Sequence, residues 1–124
     1  MHKLVMSTLP KTWVLDLDGT LVKHNGYLTE GRDVLLPGAL EFLSNVREGD
    51  LVVFLTSRKE SYKELTEAFL REEGIPFDQI IYGVPFGERI LVNDAKPSGL
   101  QMAFALNGTR DQAPVLDLTL DEKL

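Results

Sequence analysis

In the run VLDLDGTLV, Val14 to Val22, two carboxylates, Asp16 and Asp18, stand one residue apart, after an apolar stretch and directly before Gly19. Two anions so close repel each other unless something positive sits between them. The bland reading is a tight turn, because Asp-Gly is a favoured turn pair. A calcium loop also opens Asp-x-Asp, but its obligatory glycine would fall on Leu21, so that reading fails. No GxxxxGK[ST] phosphate loop occurs. The chemical reading starts from charge. A carboxylate is ionised at neutral pH, so it can be a nucleophile with no base to activate it. Its natural electrophile is a phosphoryl group, which is itself anionic, so a cation must neutralise both. Mg²⁺ suits this task, since it prefers carboxylate, carbonyl and water oxygens. The second carboxylate could then protonate the leaving oxygen and later activate water.

Such a loop needs rigid elements behind it. TWVLDL (Thr12–Leu17) reads as a buried strand ending in turn chemistry. HNGYLTEGRD (His24–Asp33) reads as a loop or small flap. PGALEFLSNVREGD opens on Pro37, stops at Gly49 and repeats Leu40, Leu43 and Val46 at helical spacing, which predicts a first helix. LVVFLT (Leu51–Thr56) is a continuous apolar run and reads as a strand buried on both faces. SRKESYKELTEAFLREEG predicts a second helix, with the stripe Tyr62, Leu65, Phe69, Leu70, a stop at Gly74 and Ser57 as its cap. QIIYG and RILVND (Arg89–Asp94) read as further strands, whereas LQMAFAL and VLDLTL are ambiguous. This alternation predicts an α/β fold, a parallel sheet with helices on its faces. Ligands in such sheets bind beyond the carboxyl ends of the strands. Three strands are expected to deliver polar groups to that one rim: Asp16 and Asp18, then Thr56, Ser57 and Arg58, then Asn93 and Asp94.

The composition narrows the class. A chain of 124 residues, 44% hydrophobic, suits a single domain with a real core. Thirteen basic against nineteen acidic residues give a net charge of -6, poor for generic binding to nucleic acid or anionic membranes. The absence of cysteine excludes a disulfide framework and thiolate metal sites, and fits a reducing cytoplasm. The apolar part of MHKLVMSTLPK is too short for a signal peptide, and no run approaches the ~20 residues that span a bilayer. The reading is a soluble cytoplasmic domain over residues 1–124, with its core over about 12–107 and a C-terminal tail over 108–124.

Together, DLDGTLV, LTSR and RILVND resemble the first, second and fourth signatures of the haloacid dehalogenase-like (HAD) superfamily. The resemblance implies a three-layer Rossmann-like fold. It implies that Asp16 attacks phosphorus to form an aspartyl-phosphate, and that Asp18 serves as general acid/base and lends a backbone carbonyl to Mg²⁺. An Asp at the second position favours a phosphatase or phosphotransferase. Thr56 matches the hydroxyl that bonds the phosphoryl oxygens. Asp94, with Asn93 beside it, matches the acidic completion of the Mg²⁺ shell. Gly19, Thr20, Ser57 and Arg58 are expected around the bound phosphate. GVPFGERILVNDAKPSGLQMAFALN more locally resembles a small capless branch grouped with capsule- or sugar-related phosphatase-like proteins.

Two departures from the pattern matter. The third signature is a lysine, or sometimes an arginine, ahead of the fourth, yet no lysine occurs between Lys63 and Asp94. Lys96 and Arg89 are the candidates, and Lys96 is preferred because it is nearer the strand's carboxyl end. The second acidic residue of the fourth signature is replaced by Pro97, Ser98 and Gly99, which lowers the expected metal affinity or catalytic power.

Neither interval between signatures can house a cap domain, so an open cleft is expected. It would admit a large substrate or borrow walls from a second copy in a homodimer. His24, Asn25, Tyr27 and Arg32 of the flap are candidates for substrate contact, although each singly reads more readily as solvated loop. Arg58 could touch phosphate or pair with an acidic neighbour at the start of the second helix. Trp13 reads as core, His2 as uninvolved, Glu72–Glu73 as a wet helix face and LTLDEKL as a frayed tail. The expected function is a Mg²⁺-dependent phosphomonoester hydrolase acting on a small phosphorylated metabolite, a sugar phosphate or a nucleotide. The alternatives are a non-catalytic phospho-ligand or partner-binding module, and a phosphotransferase.

Overall fold

The apolar runs that predict strands form a parallel core sheet in the computed structural model, which describes residues 1–124. In chain order the elements are β1 (His2–Met6), β2 (Thr12–Asp16), α1 (Gly26–Thr29), α2 (Ala39–Leu43), β3 (Leu51–Leu55), a 3₁₀ turn (Glu60–Tyr62), α3 (Lys63–Glu72), β4 (Gln79–Ile81) and β5 (Leu116–Leu120). One sheet runs β2-β3-β4 and a second pairs β1 with β5, all parallel. Asp16 lies opposite Leu55, so the carboxyl ends of β2 and β3 reach the same rim.

The main core joins this sheet to α2 and α3. Leu15, Val52 and Phe54 from the strands pack with Ala39, Phe42, Leu43 and Leu70. Trp13 packs against that cluster, edge-on to Phe42, and its indole N–H donates to Asp50 at 2.9 Å. β3 alternates: Val52 and Phe54 are buried, Val53 and Leu55 only half so, and Leu51 exposed. The expectation of a strand buried on both faces is therefore corrected, because one face carries most of the packing and Val14 is 52% exposed. The helices are shorter than the patterns suggest. α2 buries Ala39, Phe42 and Leu43 and leaves Leu40 exposed, and α3 buries Thr66 and Leu70 rather than Leu65. Ser57 caps nothing, since the chain takes another turn before the helical stretch begins at Glu60.

Two larger corrections concern the ends of the sheet. Arg89–Asp94 forms no strand: none of its backbone N–H groups donates to the backbone, and Ile90 and Val92 are each 87% exposed. An apolar run becomes a strand only where a neighbour accepts its ladder. Conversely, the terminus holding His2 and the tail holding LDLTL pair with each other over five residues as β1 and β5. Neither is frayed. No helix is long and apolar enough to cross a membrane.

Candidate functional site

The loop after β2 is fixed by its own apolar residues. Leu17, Leu21 and Val22 are buried, and the Leu17 carbonyl accepts from the N–H groups of Thr20, Leu21 and Val22. Gly19 holds φ at +80°, a left-handed conformation that costs an L side chain energy. With the leucines turned inward, Asp16, Asp18 and Thr20 stay at the rim. Asp16 Oδ2 accepts from Thr20 Oγ1 at 2.9 Å, and Oδ1 accepts from Arg89 Nη1 at 3.0 Å. Its side chain is 40% exposed, so solvent and ligand can reach it.

Asp18 lies in a different environment. Arg58 follows Thr56 and Ser57 off the end of β3, and its side chain is fully buried. Its Nε and Nη2 donate to Asp18 Oδ2 and Oδ1 at 3.0 and 2.9 Å. Nη1 and Nη2 donate to Asp33 Oδ2 and Oδ1 at 3.0 and 2.7 Å, and Nη1 also donates to Thr66 Oγ1 at 3.0 Å. All five guanidinium donors are thereby used. The Tyr27 ring closes the stack at 3.9 Å from the guanidinium carbon and meets Tyr62 edge-on. Burial alone would favour loss of the Arg58 proton, but the hydrogen bonds it donates to Asp33 and Asp18 outweigh it and raise the group above its ordinary value. Burial, then the charge of Asp18, likewise raises the Tyr27 phenol. The partners of Arg58 are thus Asp18 and Asp33, not an acid at the start of α3, and no guanidinium donor is left for a phosphate.

Thr56 is buried at the same rim, and its Oγ1 accepts from the Arg58 N–H at 3.1 Å. Ser57 beside it is half-buried. The fourth-signature residues do not join this group. Asn93 Nδ2 donates to the Asp94 carbonyl at 3.0 Å, and Asp94 and Lys96 lie on the exposed stretch. Lys96 closes a local turn with Gly99 and Leu100. Of the two candidate cations, it is Arg89 that meets Asp16.

The same geometry tests the fit of Mg²⁺. The Asp16 oxygens each accept a hydrogen bond, both Asp18 oxygens face Arg58, and no cluster of three or more His, Asp or Glu residues could hold a metal. So arranged, the half-exposed Asp16 carboxylate is the one open to Mg²⁺, with water and substrate oxygens to fill the rest of its shell.

Sequence reasoning missed four participants. Asp33 and Thr66 complete the Arg58 cage, and Arg110 and Asp111 come from the segment expected to be a tail. The Asp111 N–H donates to the Gly19 carbonyl at 2.8 Å, and Asp111 Oδ1 accepts from the His24 N–H at 2.7 Å. No local signal in the sequence marks these contacts. Among the flap candidates, Tyr27 reaches Arg58, His24 reaches Asp111, Asn25 sits in a left-handed turn and Arg32 is exposed.

No family model and no curated protein matches the chain. Two solved structures are similar to it. A chain of the Pnkp1/Rnl/Hen1 RNA repair complex is 34% identical, with a TM-score of 0.50, over 62% of this chain and 27% of that one. A chain from another structure of the Pnkp1/Rnl/Hen1 complex is 31% identical, with a TM-score of 0.52, over 67% of this chain and 31% of that one. The protein therefore spans less than a third of the length of either.

Proposed function

We propose that this chain is a phosphomonoester hydrolase in which Asp16 is the nucleophile, set in a three-layer, capless Rossmann-like domain of the HAD type. The observation that carries the reading is the position of Asp16. It ends β2 at the carboxyl rim, is reachable from solvent, and faces a guanidinium, whereas Asp18 is caged by Arg58.

In this reading the Asp16 carboxylate attacks phosphorus, and the phosphorus–oxygen ester bond breaks. The leaving alkoxide takes a proton from solvent water, and the hydroxide so formed attacks the aspartyl-phosphate to release phosphate and restore the carboxylate. Arg89 supplies the positive charge that lets two anions approach. Thr20 orients the attacking carboxylate. Asp18 can exchange a proton with the leaving group through the lone pairs that its two hydrogen bonds to Arg58 leave unused. Mg²⁺ held by Asp16 would add positive charge at the phosphate when bound.

The substrate classes supported are a small phosphorylated metabolite, from the sequence, and a phosphorylated polynucleotide end, from similarity to chains of an RNA repair complex. That similarity also supports a role within a larger assembly. A non-catalytic phospho-ligand module is the second reading, favoured by the pairing of both Asp18 oxygens with Arg58. A transferase differs only in the acceptor that replaces water.

The discriminating experiment is release of p-nitrophenol from p-nitrophenyl phosphate by the purified chain, with and without added Mg²⁺. Asp16→Asn is expected to abolish turnover, and Arg89→Ala to lower kcat about 100-fold, the size typical of one lost charge-stabilising donor. Turnover retained in Asp16→Asn rejects the mechanism. Ligand binding without turnover by the unaltered chain selects the second reading.

A further inference from the structure

The segment Arg110–Asp111 is built onto the nucleophile loop, although the hydrolytic reading assigns it no task. A Cβ placed on Gly19 would stand 3.2 Å from Arg110 Cγ and 3.7 Å from His24 Nδ1, so both basic side chains lie against the loop that carries Asp16 and Thr20. Asp111 is the bracket. Its N–H donates to the Gly19 carbonyl and its carboxylate accepts from the His24 N–H, and its φ of 64° is a left-handed turn that Asp tolerates better than most L residues. Gly19, which Asp111 holds, precedes Thr20, whose N–H closes the turn on the Leu17 carbonyl and whose hydroxyl donates to Asp16.

Although the net charge is -6 with histidine neutral, two arginines, Arg89 and Arg110, reach this one short loop beside the His24 imidazole. Lys23 beside them is paired with Glu30. Arg110 is exposed and enters none of the five ion pairs, so its planar fork of donors stays available. The opposing charges are Asp16, paired with Arg89, Asp18, paired with Arg58, and Asp111, one of whose oxygens is already spent on His24.

We propose that Arg110, assisted by His24, forms a second anion subsite next to Asp16. It would take a phosphate carried on the leaving-group side of the substrate. The substrate class is then a phosphomonoester whose alcohol bears a further phosphate. A phosphorylated polynucleotide end and a small bisphosphate share that chemistry. This deepens the hydrolytic reading and rests on it, but the subsite can be measured without turnover.

The experiment titrates the full chain carrying Asp16→Asn, by calorimetry, with adenosine 3′-monophosphate, adenosine 3′,5′-bisphosphate and a 3′-phosphorylated oligoribonucleotide. The bisphosphate is expected to bind about tenfold or more tightly than the monophosphate, the size of one charge-assisted contact. Adding Arg110→Ala is expected to erase that preference, and Arg110→Lys to restore part of it. Tighter binding of the oligonucleotide than of the bisphosphate identifies a polynucleotide as the source of the second phosphate, and equal binding identifies a small bisphosphate. Either result supports the subsite. Equal affinity for monophosphate and bisphosphate, or a preference that survives Arg110→Ala in a chain that still melts cooperatively, overturns it. In the chain with Asp16 intact, the ratio of kcat/KM for the two nucleotides is expected to follow the same pattern. Absence of all turnover there would count against the hydrolytic reading alone.

Discussion

Asp16 and Asp18 are the same residue type, two positions apart, and their surroundings give them different work. Asp16 is half-open and meets one exposed arginine, whereas Asp18 shares a fully buried guanidinium with Asp33. A buried ion pair gains stability only when its geometry is good and its remaining donors are satisfied, and Arg58 meets both conditions. Removing it would leave two carboxylates without their partner. Arg58→Ala is therefore expected to cost about 3–5 kcal/mol of folding stability, read by urea denaturation. Arg58→Lys should recover little, because an ammonium cannot reproduce five donors in a planar fork. A loss below about 1 kcal/mol for the alanine variant would mean the cage does not hold. The Asp-x-Asp loop was legible because its meaning is local: turn chemistry and charge lie within a few residues. Asp33, Thr66 and Asp111 were not, since nothing near them in the chain reveals partners that only the fold brings close.

The elements tell the same story at longer range. β2, β3 and β4 were legible as apolar runs bounded by turn residues. Arg89–Asp94 has the same composition but no neighbour to accept its ladder, and composition cannot report a missing neighbour. β1 went unread for the opposite reason, because its partner β5 lies at the far end of the chain. Between β2 and β3 the sheet is fastened by Asp50, whose carboxylate accepts from the Lys11 N–H, the Trp13 indole and the Arg47 N–H. Burial pushes that carboxyl upward, but the three donors outweigh it, and the net shift is below the ordinary value of 3.8. A carboxyl depressed in the folded state stabilises above its unfolded value, and that stability is lost as pH falls through the folded value. Asp50→Ala should cost about 1–3 kcal/mol near neutral pH, and the deficit should shrink in acid below 3.8 as the unaltered chain protonates. Melting curves across that window check it. A deficit that stays constant with pH would contradict the ionised role.

At the scale of the molecule, two small parallel sheets share the work of closing the chain. The pairing of His2–Met6 with Leu116–Leu120 ties its two ends together, and Asp111 fastens the approach to β5 onto the site loop. Deleting residues 116–124 is expected to strip hydrogen-exchange protection from the amides of β1 while those of β2 and β3 keep theirs, and to lower the melting temperature. Unchanged protection in β1 would contradict the pairing. The α/β class with parallel strands was legible from the alternation of patterns. The contribution of the C-terminal segment to the site was not, because it depends on contacts that span most of the chain.

The proposed hydrolysis requires a covalent bond between Asp16 and phosphorus. Acid quenching during turnover of p-nitrophenyl phosphate, followed by peptide mass spectrometry, tests it most directly. The expected result is a phosphoryl adduct that fragmentation places on Asp16 and that is lost in Asp16→Asn. Phosphate release with the adduct on another residue, or with no adduct trapped at any time point while turnover proceeds, would contradict it.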